Sequence, residues 1–146
     1  MSRVDWHSYF MNIATEVAWR ATCDRKHVGC VLVDPTDNVI LATGYNGSVR
    51  GEPHCDDVGH DMEDGHCVRT VHAESNAVAQ AARKGARLAG ARCYVTCYPC
   101  WPCFRLLANA GVREVVYADE YRADRRVREC AERQGIKLIA MAMAGE

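Results

Sequence analysis

The chain has 146 residues, 49% of them hydrophobic and 25% charged, and its 18 basic and 19 acidic side chains leave a formal net charge of −1. That length suits a single domain over residues 1–146, since two cores would each bury too little surface. The composition excludes disordered and collagen-like classes; the even charge argues against a dedicated duplex or RNA-backbone binder; and no apolar run approaches the ~18 residues of a membrane helix.

The start, Met1-Ser2-Arg3-Val4-Asp5-Trp6, carries no apolar core of an export signal, so a cytoplasmic location is expected. Asp5 is placed to cap a helix whose apolar stripe, Trp6, Tyr9, Phe10, Ile13 and Val17, should face the core. Val28–Val33 and Asn38–Thr43 read as strands joined by Asp34-Pro35-Thr36-Asp37, which is turn chemistry, so the two form a hairpin. Residues 44–70 are rich in Gly, His, Asp and Cys and follow neither period. A structureless stretch of that length needs a reason, and the usual ones are a functional loop or a metal. His72–Lys84 turns helical, Arg92–Cys97 is a strand, and Pro102–Ala110 is a helix stopped by Gly111, with Trp101 held off helical geometry by the proline after it. Glu114–Ala118 is a strand, Asp124–Arg133 a helix and Ile136–Ile139 a last strand. This order predicts an α/β fold with a mostly parallel sheet and helices on its faces. The hairpin supplies its one antiparallel step.

Nine cysteines stand out. An odd count in a reducing compartment argues against a disulfide scaffold and leaves metal ligands, core residues or redox thiols. His72-Ala73-Glu74 is followed 25 positions after Glu74 by Pro99-Cys100-Trp101-Pro102-Cys103. A Cys-x-x-Cys pair brings two sulfurs to one point, as tetrahedral zinc requires, and one histidine from elsewhere leaves a fourth position open for water. Both halves fall at expected helix starts, where the dipole and free N–H groups favour thiolates. Glu74 lies two residues from the histidine, near enough to serve water on the metal without ligating it. The structural alternatives are a redox or structural zinc pair for Cys100 and Cys103 and a core histidine for His72.

His-x-Glu…Pro-Cys-x-x-Cys matches the signature of zinc-dependent base deaminases. Gly44-Tyr45-Asn46-Gly47, Cys67-Val68-Arg69-Thr70-Val71-His72-Ala73-Glu74-Ser75-Asn76-Ala77 and Tyr94-Val95-Thr96 carry the resemblance further, to the deoxycytidylate (dCMP) deaminases. The likeness runs from Asp5 to about Ile139; Val49 and Trp101-Pro102 depart from the usual pattern. The resemblance implies a cytidine deaminase-like three-layer α/β/α fold with a five-stranded mixed sheet and an N-terminal antiparallel hairpin. It implies hydrolysis of dCMP to dUMP and ammonia, supplying pyrimidine deoxynucleotide for dTTP synthesis. A hexamer, activation by dCTP, inhibition by dTTP and Mg²⁺ accompanying the triphosphate are implied as well. It places Glu74 as the proton carrier, Asn46 at the sugar and the Ala73 backbone at the base. Arg25, Lys26, Tyr121 and Arg122 lie in segments that approach the 5′-phosphate, and Gly44, Tyr45, Asn46 and Gly47 mark the effector loop.

On physical grounds a nucleotide phosphate needs local cations or N–H donors, since the whole chain offers no positive field. Arg25, Lys26 and Arg122 can supply them, or can be solvated surface charges. Arg125, Arg126 and Arg128 read as an exposed helix face. Cys23, Cys55, His60 and Cys67 make a second zinc candidate that would order the 44–70 segment, with His54 or His66 as replacements for His60. Some dCMP deaminases carry such a structural zinc. The alternative there is buried thiols beside loop histidines. Cys30, Cys93, Cys97 and Cys130 read as small core residues. Two other functions are weighed against the first: a deaminase acting on a base in nucleic acid, of the tRNA-adenosine type, and a non-catalytic zinc module that binds nucleotides. Glu74 speaks against the last, because a structural site needs no such carboxylate.

Overall fold

In the computed structural model, which describes residues 2–141, chain order runs through α1 (Trp6–Ala18), the hairpin β1 (Gly29–Asp34) and β2 (Val39–Tyr45), β3 (Gly47–Ser48), α2 (Cys55–Val58), β4 (Met62–Glu63), β5 (His66–Cys67) and β6 (Thr70–Val71). The second half alternates: α3 (Ala73–Lys84), β7 (Arg92–Cys97), α4 (Trp101–Asn109), β8 (Glu114–Asp119), α5 (Arg125–Gln134) and β9 (Lys137–Ala140). Caps set the helix limits. Asp5 and Asp124 accept from the Ser8 and Arg126 amides at 2.8 Å each, and Gly85 and Gly135 close α3 and α5 in left-handed conformation. Helix α4 begins one residue earlier than expected, with Trp101 helical and Pro102 inside the first turn, where a missing N–H is harmless.

Five strands form a mixed sheet in the order β2-β1-β7-β8-β9. Two of its steps are antiparallel, not one: β1 runs against both β2 and β7, whereas β7–β8 and β8–β9 are parallel. The reason is the crossover through α3. It carries the chain from β2 to a parallel β7 on the far side of β1, so β1 lies between two strands of opposite sense. Burial agrees, because β1 is buried on both faces along nearly all its length, as a central strand should be.

Alternation along the strands builds two cores. Val31, Val33, Tyr94 and Val116 face α1 with Phe10, Met11 and Ala14. Cys30, Leu32, Cys93, Val95 and Val115 face α3, α4 and α5. The layers are therefore α1, sheet, and α3–α5. Burying a side chain such as Phe10 or Phe104 contributes about 1.5–3 kcal/mol. The α1 stripe differs from expectation. Trp6 and Tyr9 are exposed, and the buried positions are Phe10, Met11, Ala14 and Ala18, with Ile13 and Val17 packed at the margin. Small residues win because the helix lies close to β1: a Cβ on Gly29 would meet the Ala14 carbonyl oxygen at 1.9 Å.

Helix α3 makes the same close approach on the other face, where a Cβ on Gly44 would lie 2.3 Å from the Ala73 carbonyl oxygen and 2.4 Å from the Ala77 nitrogen. Ala73, Ala77 and Ala81 form the buried side of α3. The 44–70 segment is not structureless. Strand β2 extends into it as far as Tyr45, β3 pairs with β6, and β4 pairs with β5 through an Asp64-Gly65 turn with both residues at positive φ. No helix among the described residues is long and apolar enough to cross a membrane.

Candidate active site

Two helix starts meet above the sheet. His72 is the N-cap of α3 and Cys100 the N-cap of α4; each has extended backbone and neither side chain caps its own helix. Cys103 lies in the first turn of α4. The Asn76 side chain holds α3 in place, donating to the carbonyls of Tyr45 at 2.8 Å and Val71 at 3.2 Å. His72 Nδ1 is consequently 3.5 Å from Cys100 Sγ and 3.3 Å from Cys103 Sγ.

These separations fit a metal. Tetrahedral zinc with Zn–S of about 2.3 Å and Zn–N of about 2.0–2.1 Å would hold sulfur and nitrogen ligands about 3.5 Å apart. Two thiols and an imidazole are also the donor set that selects zinc among the common ions. The electrostatics favour a cation as well. The hydrogen bond shared with Cys103, then the bond to His72, bring Cys100 down to about 4. The same shared proton pushes Cys103 up, and the bond to Cys100 raises His72.

Glu74, also in the first turn of α3, is buried. Burial pushes its carboxyl up to about 7, with a contribution from Cys100 that His72 partly opposes. It faces a cavity of about 320 Å³, within the size range of small-molecule sites. Arg25, Lys26, Asn46, Ala73, Tyr121 and Arg122 all line this cavity together with His72, Glu74 and Cys100. Lys26 Nζ lies 3.9 Å from the Tyr121 ring centroid and 4.0 Å from Asp119. Arg122, at positive φ, projects beside the same ring. The Asn46 side chain is braced by backbone: Oδ1 accepts from Val28 N–H at 2.7 Å and Nδ2 donates to the Lys26 carbonyl at 2.6 Å. One amide proton remains for the cavity.

A second cluster flanks this cavity. Ligand atoms of Cys23, Cys55, His60 and Cys67 all lie within 4.8 Å of one another, with Cys23 Sγ 3.4 Å from His60 Nδ1 and Cys55 Sγ 3.5 Å from Cys67 Sγ. These distances match the same tetrahedral arithmetic. Burial, then the Cys67 and Cys23 thiols, push Cys55 up to about 12. Burial also raises Cys67, but hydrogen bonds with the Asp61 and Arg69 backbone and with Cys55 and His60 outweigh it and leave Cys67 at about 6.

Of the candidate fourth donors, His60 is the one whose ring nitrogen falls within the cluster. His66 points to the cavity instead, and His54 Nδ1 is buried with no hydrogen-bond partner among the described residues. Gly44, Tyr45 and Gly47 do not line the cavity, and the bare Cα of Gly44 is accounted for by the approach of α3. Cys30 and Cys93 are core thiols as expected; Cys97 is half-buried and lines the cavity, and Cys130 is half-buried at the core's edge. Sequence reasoning missed Tyr98, whose buried hydroxyl has no hydrogen-bond partner among the described residues, and also Thr70, Val28 and His66 as cavity residues. Only the position of Tyr98 next to Pro99-Cys100 could have flagged it.

A family model for the cytidine and deoxycytidylate deaminase zinc-binding region matches residues 4–119. The chain belongs to this family. It is 42% identical over 138 residues to ComE operon protein 2 of Bacillus subtilis, covering 94% of this chain and 72% of that one. Deoxycytidylate deaminase of Mycobacterium phage D29 is 40% identical over 132 residues, covering 82% of this chain and 99% of that one. Among solved structures, dCMP deaminase from the cyanophage S-TIM5 in complex with dCMP and dUMP superposes with a TM-score of 0.81 at 28% identity, covering 97% of this chain and 100% of that one. The fold is therefore the cytidine deaminase-like one. A tRNA:A34 deaminase shares that fold at a TM-score of 0.64 and 23% identity.

Proposed function

We propose that this chain is a dCMP deaminase, hydrolysing dCMP to dUMP and ammonia. The observation that carries the reading is one cavity lined by the buried carboxyl of Glu74, by His72 and Cys100 of a His-Cys-Cys set, and by the cations Arg25, Lys26 and Arg122. Its family membership and the substrates named for its relatives support the choice of dCMP. His72, Cys100 and Cys103 would hold a zinc ion, which supplies Lewis-acid activation of a water molecule when bound.

The chain's own residues do the rest. The attacking water forms its bond to C4 of the cytosine ring and loses a proton to Glu74, whose carboxyl is held in a dry niche where proton exchange near neutrality is accessible. Glu74 delivers that proton to the adjacent ring nitrogen, then takes the remaining proton from the hydroxyl on C4 and passes it to the exocyclic amine as the C4–N bond breaks. The product ring carries a carbonyl, and ammonia leaves with its electron pair. The Ala73 backbone lies at the cavity wall to orient the base, and the remaining Asn46 amide proton serves the sugar. Arg25, Lys26 and Arg122 meet the phosphate with charge-assisted hydrogen bonds, and Tyr121 carries Lys26 against its face.

Cys23, Cys55, His60 and Cys67 hold a second, structural zinc in this reading, supported by their donor set and spacing. An odd count of nine cysteines, five of them in the two Cys-His sets, supports a reducing, cytoplasmic location. The family likeness further implies a homohexamer and control by dCTP and dTTP with Mg²⁺ at the Gly44–Gly47 loop. The exposed Trp6, Tyr9 and Trp19 support association of chains, which would cover them.

The test compares ultraviolet loss of dCMP, dCTP and deoxycytidine, with ammonia release from a tRNA anticodon stem alongside. Preference for dCMP is expected. Turnover of the stem alone would favour the nucleic-acid reading.

A further inference from the structure

We propose that Asp24 is a positioning residue for the second metal, and that through it the metal sets the phosphate end of the substrate cavity. This rests on the two-zinc reading above. Asp24 Oδ1 lies 3.1 Å from His60 Nε2, while the other ring nitrogen, Nδ1, faces Cys23 Sγ at 3.4 Å. A neutral imidazole that donates Nε2–H to the carboxylate has its Nδ1 lone pair free for a metal. The carboxylate thus selects the tautomer and fixes the ring plane, as carboxylate partners of metal-bound histidines do.

The connection to the cavity is covalent and short. Cys23, Asp24, Arg25 and Lys26 are consecutive; Cys23, Arg25 and Lys26 all line the cavity. On the other side Cys67 ends the β4–β5 ribbon, whose Gly65 and His66 line the cavity as well. Arg25 Nη1 closes the gap by donating to Met62 Sδ on that ribbon at 3.5 Å. The cluster therefore ties the Arg25–Lys26 arm to the ribbon, and these are two walls of one end of the cavity. Neither segment has an apolar core of its own to hold it there.

Magnitudes separate this role from a general one. The Asp24 side chain is 78% exposed, and an exposed ion pair contributes little to folding. Removing a carboxylate partner of a ligating histidine, by contrast, typically costs 10–100-fold in metal affinity.

The experiment measures zinc per chain and affinity by chelator competition in the wild type, Asp24→Ala and Asp24→Asn, with Co²⁺ absorption as a spectroscopic readout. The wild type is expected to hold two zinc ions. Asp24→Ala should release one of them at 10–100-fold weaker chelation, should need correspondingly more Co²⁺ to fill its second tetrahedral site, and should lose kcat/KM for dCMP more than for deoxycytidine. Asp24→Asn keeps an acceptor oxygen and should fall between the two. Wild-type affinity in Asp24→Ala, or Asp24→Asn no better than Asp24→Ala, overturns the role of Asp24 while leaving the second metal standing. A single zinc in the wild type overturns the second metal itself, and this role with it.

Discussion

Gly44→Ala should damage the active site from a position outside the substrate cavity. Its added Cβ would lie 2.3 Å from the Ala73 carbonyl oxygen and 2.4 Å from the Ala77 nitrogen, against an ordinary contact of 3.4–4 Å. Both obstacles are backbone, so no side chain can swing aside. Relief requires α3 and β2 to separate by about 1 Å. Overpacking of this kind typically costs about 1–3 kcal/mol of stability. The shift also reaches function, because Ala73 is the first residue of α3 and lies between His72 and Glu74. A misplacement of about 1 Å at reacting groups can cost about 100-fold in rate. Urea unfolding and kcat for dCMP, measured side by side, are the assay. Gly47→Ala is the control, since its nearest obstacle is the Thr22 hydroxyl at 3.3 Å, a movable side-chain atom. Wild-type stability and rate in Gly44→Ala, or equal losses in the two variants, would refute the reasoning.

Arg25→Ala and Arg122→Ala should each raise KM for dCMP by about 10–100-fold, the worth of one hydrogen bond between charged groups, and should barely move deoxycytidine; equal changes for both substrates would remove these side chains from phosphate binding. Cys55→Ser should leave one zinc per chain and loosen residues 55–67, read as faster amide exchange there; retention of two zinc ions would contradict its place as a ligand. Asp5→Ala removes the carboxylate that accepts the Ser8 amide at 2.8 Å and should lower the denaturant midpoint of unfolding with no change in KM; an unchanged midpoint would show that this cap contributes nothing.

Local chemistry made most of the architecture legible. The Asp34-Pro35-Thr36-Asp37 turn and the Gly111 stop each act over a few residues, and every element expected outside residues 44–70 lies within two positions of its expected place, whereas the short elements inside that stretch were not expected. The pairing of β1 with β7 joins Cys30 to Val95 across 65 positions, and no short-range pattern encodes the sense of such a step. In α1 the apolar stripe points to Trp6 and Tyr9, but the close approach to Gly29 selects Ala14 and Ala18. The His72, Glu74, Cys100 and Cys103 constellation was readable because two fixed spacings carry it. The choice of His60 over His54 and His66 was not, since three histidines share one loop and the β4–β5 ribbon turns His66 toward the cavity. Tyr98 and Cys97 reach the cavity only because β7 ends there, which is a fact of the sheet and not of their immediate neighbours.

The most direct test is zinc content and dCMP turnover measured together in Glu74→Gln. The buried amide should leave His72, Cys100 and Cys103 to bind metal as before, so zinc per chain stays at the wild-type level. With the proton carrier gone, turnover should fall by at least the 10²–10⁴-fold typical of general acid–base residues. A Glu74→Gln chain that keeps its zinc and still deaminates dCMP near the wild-type rate would contradict the account.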